Sequence, residues 1–179
     1  DIGIPANTLK AIKPRTFLNM PELWTERFPV PRLEGHKYSR GHTVVMSGGL
    51  ASTGAARLAA RGALRAGAGL VTIASPRDAL AVNAAASLAV MVRPIDNAAE
   101  LAEFLADTRR NAVVLGPGGG VGKAMRELVG TALKGERSVV LDADALTSFA
   151  DEPEALITAI RARPNQTTVL TPHEGEFRS

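Results

Sequence analysis

Six short runs rich in valine, leucine and isoleucine alternate along the chain with longer segments of helical composition. The runs occupy residues 43–47, 70–74, 89–92, 112–115, 138–141 and 168–170. Their continuous apolar character is typical of parallel strands that are buried on both faces. Helices are predicted between them at residues 53–66, 77–86, 98–107, 122–133 and 143–160, with the last one broken near Pro153. This alternation predicts an α/β fold of three layers, a parallel sheet with helices on both faces.

The composition narrows the classes of protein that fit this pattern. The 179 residues include no Cys, and 21 basic against 18 acidic residues leave a net charge of +3. Without Cys there is no disulfide framework and no Cys-ligated metal site. The weak positive charge, with one Trp and one Tyr, argues against a nucleic-acid partner. Because no apolar run approaches the roughly 20 residues that cross a bilayer, we expect a cytoplasmic protein without a membrane partner.

The first 35 residues differ from the rest of the chain. They contain proline at five positions and show no sustained hydrophobic period, which is typical of a linker or lead-in. We therefore expect residues 1–35 to be a linker and residues 36–179 to form the folded domain. The chain lacks an initiator Met and stops a few residues after the last predicted strand, so we expect it to be a piece of a longer protein.

Polar, acidic and glycine-rich residues follow nearly every predicted strand. In open α/β sheets, ligands bind at the carboxyl ends of the strands, so these residues predict a binding site along one edge of the sheet. They are Ser47-Gly48-Gly49, Ser75-Pro76, the run from Gly116 to Gly120, Asp142-Ala143-Asp144, and the run from Thr171 to Glu174.

The glycines of residues 116–122 favour an anion site, since exposed backbone N–H groups at a helix start attract anions. The spacing fits neither common phosphate motif. A P-loop has Gly five positions before its Gly-Lys pair and Ser or Thr directly after the pair. Around Gly122-Lys123, Pro117 and Ala124 occupy these two places. Residues 49–54 have the P-loop spacing of glycines but lack the Lys and Ser that should follow. The dinucleotide fingerprint fails as well, because Val121 and Lys123 stand where its third Gly should be. The sequence therefore excludes both a standard P-loop NTPase and a standard dinucleotide fingerprint.

Several side chains at this edge suit more than one role. Asp142 and Asp144 can hold Mg²⁺ or bind a sugar hydroxyl, and Asp144 can equally stabilise the start of the next helix. His173, beside two glutamates, can bind a ligand or titrate. The helix over residues 53–66 carries a small alanine face and an arginine row at four-residue spacing that is typical of a solvated surface. No zinc-hydrolase or serine-hydrolase motif is present.

Taken together, these segments resemble the NAD(P)H-hydrate dehydratases, a family within the ribokinase-like superfamily. The first residues, 1–5, also resemble the end of the epimerase domain that many bacterial members carry in front of the dehydratase. The segments that match follow the family's order between residues 35 and 177 and are residues 36–42, 47–56, 63–71, 116–120, 141–146 and 170–176.

The resemblance implies a ribokinase-like, Rossmann-like fold that is incomplete at its C-terminal end. It implies dehydration of (6S)-NADHX or (6S)-NADPHX to NADH or NADPH, with ADP or ATP as phosphoryl donor, Mg²⁺, and a homotetramer. The residues that it implies for contact with the hydrated dinucleotide are Ala55, Gly118, Gly120 and His173. Those that it implies near the transferred phosphoryl group or Mg²⁺ are Asp142, Asp144 and Glu176.

Two departures from the family pattern affect the expected activity. Gly119 stands where the family usually has Leu, and the family's Gly-x-Gly-Asp motif, which carries the catalytic base, does not occur in this sequence. We therefore expect the catalytic residues beyond Ser179 and predict that residues 1–179 alone are inactive. Two alternatives stay open: a small-molecule kinase acting on a vitamin precursor, and a nucleotide-binding domain without turnover.

Overall fold

The computed structural model describes residues 3–178, and the chain forms two compact units, Asp1–Arg32 and Leu33–Ser179. The first unit contains helix α1 (Ala6–Ile12) and two single 3-10 turns, Pro21–Leu23 and Thr25–Arg27. None of its described residues is buried. The sequence pattern did not predict α1, because a seven-residue helix without a buried side leaves no hydrophobic period to detect.

The second unit is built on a six-stranded, wholly parallel sheet. Its strand order, β3-β2-β1-β4-β5-β6, runs outwards from β1 in both directions. This architecture confirms the α/β fold predicted from the sequence. The strands are β1 (His42–Met46), β2 (Leu70–Ser75), β3 (Met91–Pro94), β4 (Ala112–Leu115), β5 (Ser138–Leu141) and β6 (Thr168–Leu170).

Helices cover both faces of the sheet, because neighbouring side chains of a strand point to opposite faces. Val44 packs into a cluster with Leu101 and Val129 of the helices on one face. Val45 packs against Ala56 and Ala60 on the other. The helices are α2 (Gly54–Ala66), α3 (Leu80–Ala85), α4 (Ala98–Leu105), α5 (Lys123–Ala132), α6 (Asp144–Thr147), α7 (Pro153–Arg161) and α8 (Glu174–Arg178), with 3-10 turns at Lys37–Arg40, Leu50–Ser52 and Arg77–Ala79.

The prediction that every strand is buried on both faces is wrong for β3 and β6. Both lie at the edges of the sheet, where Met91 and Leu170 each keep 45% of their surface exposed. Strand β3 also begins two residues later than predicted, because Ala89 is exposed and pairing with β2 starts only at Met91. The predicted break near Pro153 is confirmed by the separation of α6 from α7.

None of the helices within residues 3–178 has the length and apolar content needed to cross a membrane.

Candidate functional site at the carboxyl edge of the sheet

The loop after β1 is pressed against the glycine loop after β4. A Cβ on Gly48 would lie 1.8 Å from the carbonyl oxygen of Gly118, so only glycine fits at residue 48. Gly118 has φ +69°, a left-handed conformation that glycine adopts easily, and a Cβ there would lie 3.1 Å from the carbonyl oxygen of Ser52. The two loops thus meet backbone to backbone at the edge where the sequence predicted a site.

The loop after β5 joins the same contact. Gly116 has φ +122°, and a Cβ on it would lie 1.7 Å from the carbonyl oxygen of Asp142. The N–H of Asp142 donates to the carbonyl of Leu115 at 3.1 Å, and that of Thr171 donates to Leu141 at 3.1 Å. The loops after β1, β4 and β5 are therefore closely packed, and the chain leaving β6 continues alongside them.

The two aspartates after β5 have separate environments. Asp144 accepts a hydrogen bond from the N–H of Gly120 at 2.9 Å. The carboxylate of Asp142 is half-buried and has no hydrogen-bond or ion-pair partner within residues 3–178. Asp144 thus anchors the glycine loop, while Asp142 is open to a ligand.

Between them, Ala143 has a strained backbone with φ +45° and ψ −120°. Residues with a side chain rarely adopt this region, and holding one there costs on the order of 1–3 kcal/mol. Strained residues of this kind cluster at binding and catalytic sites. The strain lies at the turn that separates the carboxylates of Asp142 and Asp144.

The serine directly after α6 holds the rest of the glycine loop in place. The hydroxyl of Ser148 accepts from the N–H of Gly122 at 3.0 Å and donates to the carbonyl of Asp144 at 2.5 Å. Its own carbonyl accepts from the Arg126 guanidinium at 2.9 Å. Ser148 is not recognisable from the sequence, because a single serine carries no spacing signal.

His173 and Glu176 bind each other at the start of α8. The His173 Nδ1 accepts from the N–H groups of Gly175 at 3.0 Å and Glu176 at 3.3 Å. The Glu176 carboxylate accepts in return from the N–H of His173 at 3.0 Å, the reciprocal pattern of a capping box. The other ring nitrogen, Nε2, lies 3.2 Å from Oε1 of the same Glu176, so both ring nitrogens have partners within the segment, although 72% of the His173 side chain is exposed.

A buried asparagine supports the loop after β1 from below. Asn83 of α3 is fully buried and donates to the hydroxyls of Ser47 at 3.0 Å and Ser75 at 2.9 Å. Ser47 in turn donates to the carbonyl of Gly48. Asn83 thus links the carboxyl ends of β1 and β2 directly beneath the contact of Gly48, a role that its sequence position did not reveal.

The predicted site residues separate into two groups. Gly118, Gly120, Asp142 and Asp144 lie on loops that touch, and Ala55 is the second residue of the helix that follows the loop of Gly48. His173 and Glu176 lie on the segment after β6. Within residues 3–178 there is no cluster of three or more His, Asp or Glu side chains able to hold a metal ion by themselves.

The motif at residues 36–42 lies at the opposite, amino edge of the sheet. A Cβ on Gly69 would lie 1.7 Å from the carbonyl oxygen of Lys37, so this segment packs tightly before β2. His42 is buried, with its Nε2 2.7 Å from the hydroxyl of Thr72. Burial, with a smaller contribution from the charge of Arg110, lowers the pKa of His42 below its ordinary value.

Comparison with known proteins gives a consistent result. A sequence profile of NAD(P)H-hydrate dehydratase matches residues 43–179. The bifunctional NAD(P)H-hydrate repair enzyme Nnr of Synechocystis is 34% identical over 187 residues, covering 99% of this chain and 34% of the relative. The enzyme of the same name from Coxiella burnetii is 33% identical, covering 86% of this chain and 30% of the relative. The chain thus spans about a third of the length of these curated relatives.

Two solved structures share the fold. An ADP/ATP-dependent NAD(P)H-hydrate dehydratase from Bacillus subtilis, co-crystallised with ATP and Mg²⁺, is 25% identical with a TM-score of 0.65, covering 88% of this chain and 53% of that one. A ribokinase-like superfamily protein from Enterococcus faecalis is 18% identical with a TM-score of 0.66, covering 89% of this chain and 55% of that one. At that identity the second likeness concerns the fold alone.

Proposed function

The chain belongs to the NAD(P)H-hydrate dehydratase family, and from this premise we propose that it binds the substrate in an ADP-dependent dehydratase. The substrates would be (6S)-NADHX and (6S)-NADPHX, and the products NADH or NADPH, AMP and phosphate. The observation that carries the proposal is the backbone contact of Gly48 with Gly118 beside the open carboxylate of Asp142.

The proposed reaction balances as two steps. A general base takes the proton of the ring hydroxyl while its oxygen attacks the terminal phosphorus of ADP; the bridging P–O bond breaks, and AMP leaves with the electron pair. The phosphate ester is a better leaving group than hydroxide, so the ring C–O bond breaks, phosphate takes the electron pair, and loss of a ring proton restores the double bond. Phosphoryl transfer depends mainly on positioning and charge stabilisation, which closely packed strand-end loops are suited to provide.

The structure suggests a division of roles among the candidate residues. Backbone N–H groups at the start of the 13-residue helix α2, near Ala55, suit a phosphate of the dinucleotide. Gly120 offers open space to the substrate, whereas its N–H is bonded to Asp144. We propose Gly118 and His173 as further substrate contacts, and Asp144 and Glu176 as residues that hold the site's loops near the phosphoryl group.

The open carboxylate of Asp142 fits Mg²⁺, which prefers oxygen ligands and is usually held by one or two carboxylates together with substrate phosphates. When bound, Mg²⁺ would neutralise charge on the nucleotide phosphates. Asp142 is the better candidate than Asp144, because the Asp144 carboxylate already accepts from Gly120. The family resemblance also supports a homotetramer of the longer protein, which mass photometry would measure.

The experiment that tests this function is recovery of reduced-nicotinamide absorbance from NADHX and NADPHX. A longer protein containing this chain is supplied with ADP, with ATP, or with neither, and the 179-residue chain is assayed beside it. We expect recovery only with a nucleotide, and none from the isolated chain, which lacks a Gly-x-Gly-Asp sequence. Absence of recovery from the longer protein, or phosphate retained on the organic product, would contradict the proposal.

A further inference from the structure

A groove of about 390 Å³ runs along α2, outside the contact of the three loops. One wall is formed by α2 and the other by residues 86–90, which precede β3. The groove begins at Gly54, next to the proposed substrate contact Ala55, and extends to Leu64. At 1.5 Å per residue this is a length of about 15 Å. The groove therefore adjoins the proposed contact at Ala55 and extends from there along α2, away from the three loops.

The groove is positively charged. Arg57 and Arg61 line it, both are exposed, and neither has an acidic partner anywhere in residues 3–178. No acidic side chain lines the groove, and α2 contains none. Two guanidinium groups without counter-charges create a local field that attracts an anion. Arginine also binds phosphate through paired hydrogen bonds.

The floor of the groove is apolar. Leu64 and Val90 are half-buried and pack against the cluster beneath α2, while Leu58 and Leu88 expose much of their surface. Ligand sites commonly combine such walls with a few charged groups that fix orientation, and their volumes begin near 300 Å³. The combination suits a flat aromatic base that is attached to a phosphate.

Building on the proposed function, we infer that this groove binds the adenosine 2′-phosphate end of (6S)-NADPHX and selects it over (6S)-NADHX. With a phosphate of the dinucleotide at the start of α2, Arg57 lies ~4.5 Å and Arg61 ~10 Å further along the helix axis from Gly54. These distances are in reach of a ribose phosphate. An arginine near the ribose is also how other dinucleotide-binding folds accept a 2′-phosphate.

The test is calorimetry of the 179-residue chain with NADPH and NADH, and with adenosine 2′,5′-bisphosphate and AMP as smaller probes. The variants are Arg57→Gln and Arg61→Gln. Arg65→Gln is the matched control, because Arg65 continues the same arginine row but does not line the groove. All three positions are exposed, so we expect unchanged thermal melting.

We expect NADPH to bind about tenfold more tightly than NADH, a difference of ~1.4 kcal/mol. Each groove variant should reduce that ratio several-fold, and Arg65→Gln should leave it unchanged. High salt should also reduce the ratio, since exposed charges are screened. Among the smaller probes, adenosine 2′,5′-bisphosphate should likewise bind more tightly than AMP.

Equal affinity for NADPH and NADH in the wild-type chain would overturn this inference and leave the proposed function standing. The inference would also be overturned, with the proposed function still standing, if Arg57→Gln and Arg61→Gln leave the ratio of affinities unchanged as Arg65→Gln does. Failure of both dinucleotides to bind would overturn the inference alone, and recovery of reduced nicotinamide by the longer protein would then decide the proposed function separately.

Discussion

Replacing Gly48 with alanine is the sharpest perturbation of the contact between the loops after β1 and β4. The new Cβ would lie 1.8 Å from the carbonyl oxygen of Gly118 and 2.8 Å from its carbonyl carbon. Both neighbours are backbone atoms, so no side chain can rotate away. Since real Cβ atoms essentially never approach closer than 3.0 Å, the loops must separate by about 1.2 Å.

Overpacking of this kind costs about 1–3 kcal/mol. For a chain of this size, 1 kcal/mol corresponds to a Tm change of ~2–4 °C, so Gly48→Ala should lower the Tm by ~2–12 °C. Gly62→Ala is the matched control, because Gly62 lies within α2 with open space around its Cβ position. There alanine should raise helix stability by ~0.8–1 kcal/mol and the Tm by ~2–4 °C.

The assay is thermal unfolding followed by circular dichroism, with NADPH affinity measured on the same samples. Gly48→Ala should also weaken NADPH binding, because the separated loops no longer present Gly118 in place. A Gly48→Ala variant that melts at the wild-type temperature and binds NADPH with wild-type affinity would refute the tight contact between the two loops.

Two other predictions follow from local strain and burial. Ala143→Gly should raise the free energy of unfolding by up to ~2 kcal/mol in urea titrations, because relief of ~1–3 kcal/mol of strain exceeds the ~0.5–1 kcal/mol entropic cost of glycine; a less stable variant would contradict the strained backbone. Because burial lowers the pKa of folded His42, the unfolded chain takes up a proton near pH 6.5 before the folded chain does. Stability should therefore fall as the pH drops below ~6.5, by at most ~1.4 kcal/mol per pH unit. His42→Gln should flatten this slope between about pH 7.5 and 5.5, and an unchanged slope in that variant would contradict the assignment.

The sheet could be predicted because the residues of its central strands form continuous apolar runs in the sequence. Val44 and Val45 are both buried, on opposite faces, and such a pair is detectable in the sequence alone. Whether a strand lies at the edge of the sheet cannot be detected from its apolar run. Leu170 belongs to a run of the same character, yet it is half-exposed because β6 ends the sheet, and strand order depends on contacts between distant segments.

The place of the candidate site was predictable, whereas its internal bonds were not. The rule that ligands bind at the carboxyl ends of strands located the loops of Gly48, Gly118 and Asp142. The hydrogen bonds by which Asn83 supports the loop after β1 could not be predicted. The sequence does not show which residues a single polar side chain in an apolar helix will contact once the chain folds. The separate environments of the two aspartates likewise depend on the turn at Ala143, whose conformation alanine does not predict.

The most direct test of the central claim, that the carboxyl edge of the sheet binds the dinucleotide, is hydrogen–deuterium exchange of the 179-residue chain with and without NADPH. We predict slower exchange in residues 47–57 and 116–122, and unchanged exchange at the amino edge in residues 36–42. Protection confined to the amino edge, or no protection at either edge under saturating NADPH, would contradict the claim.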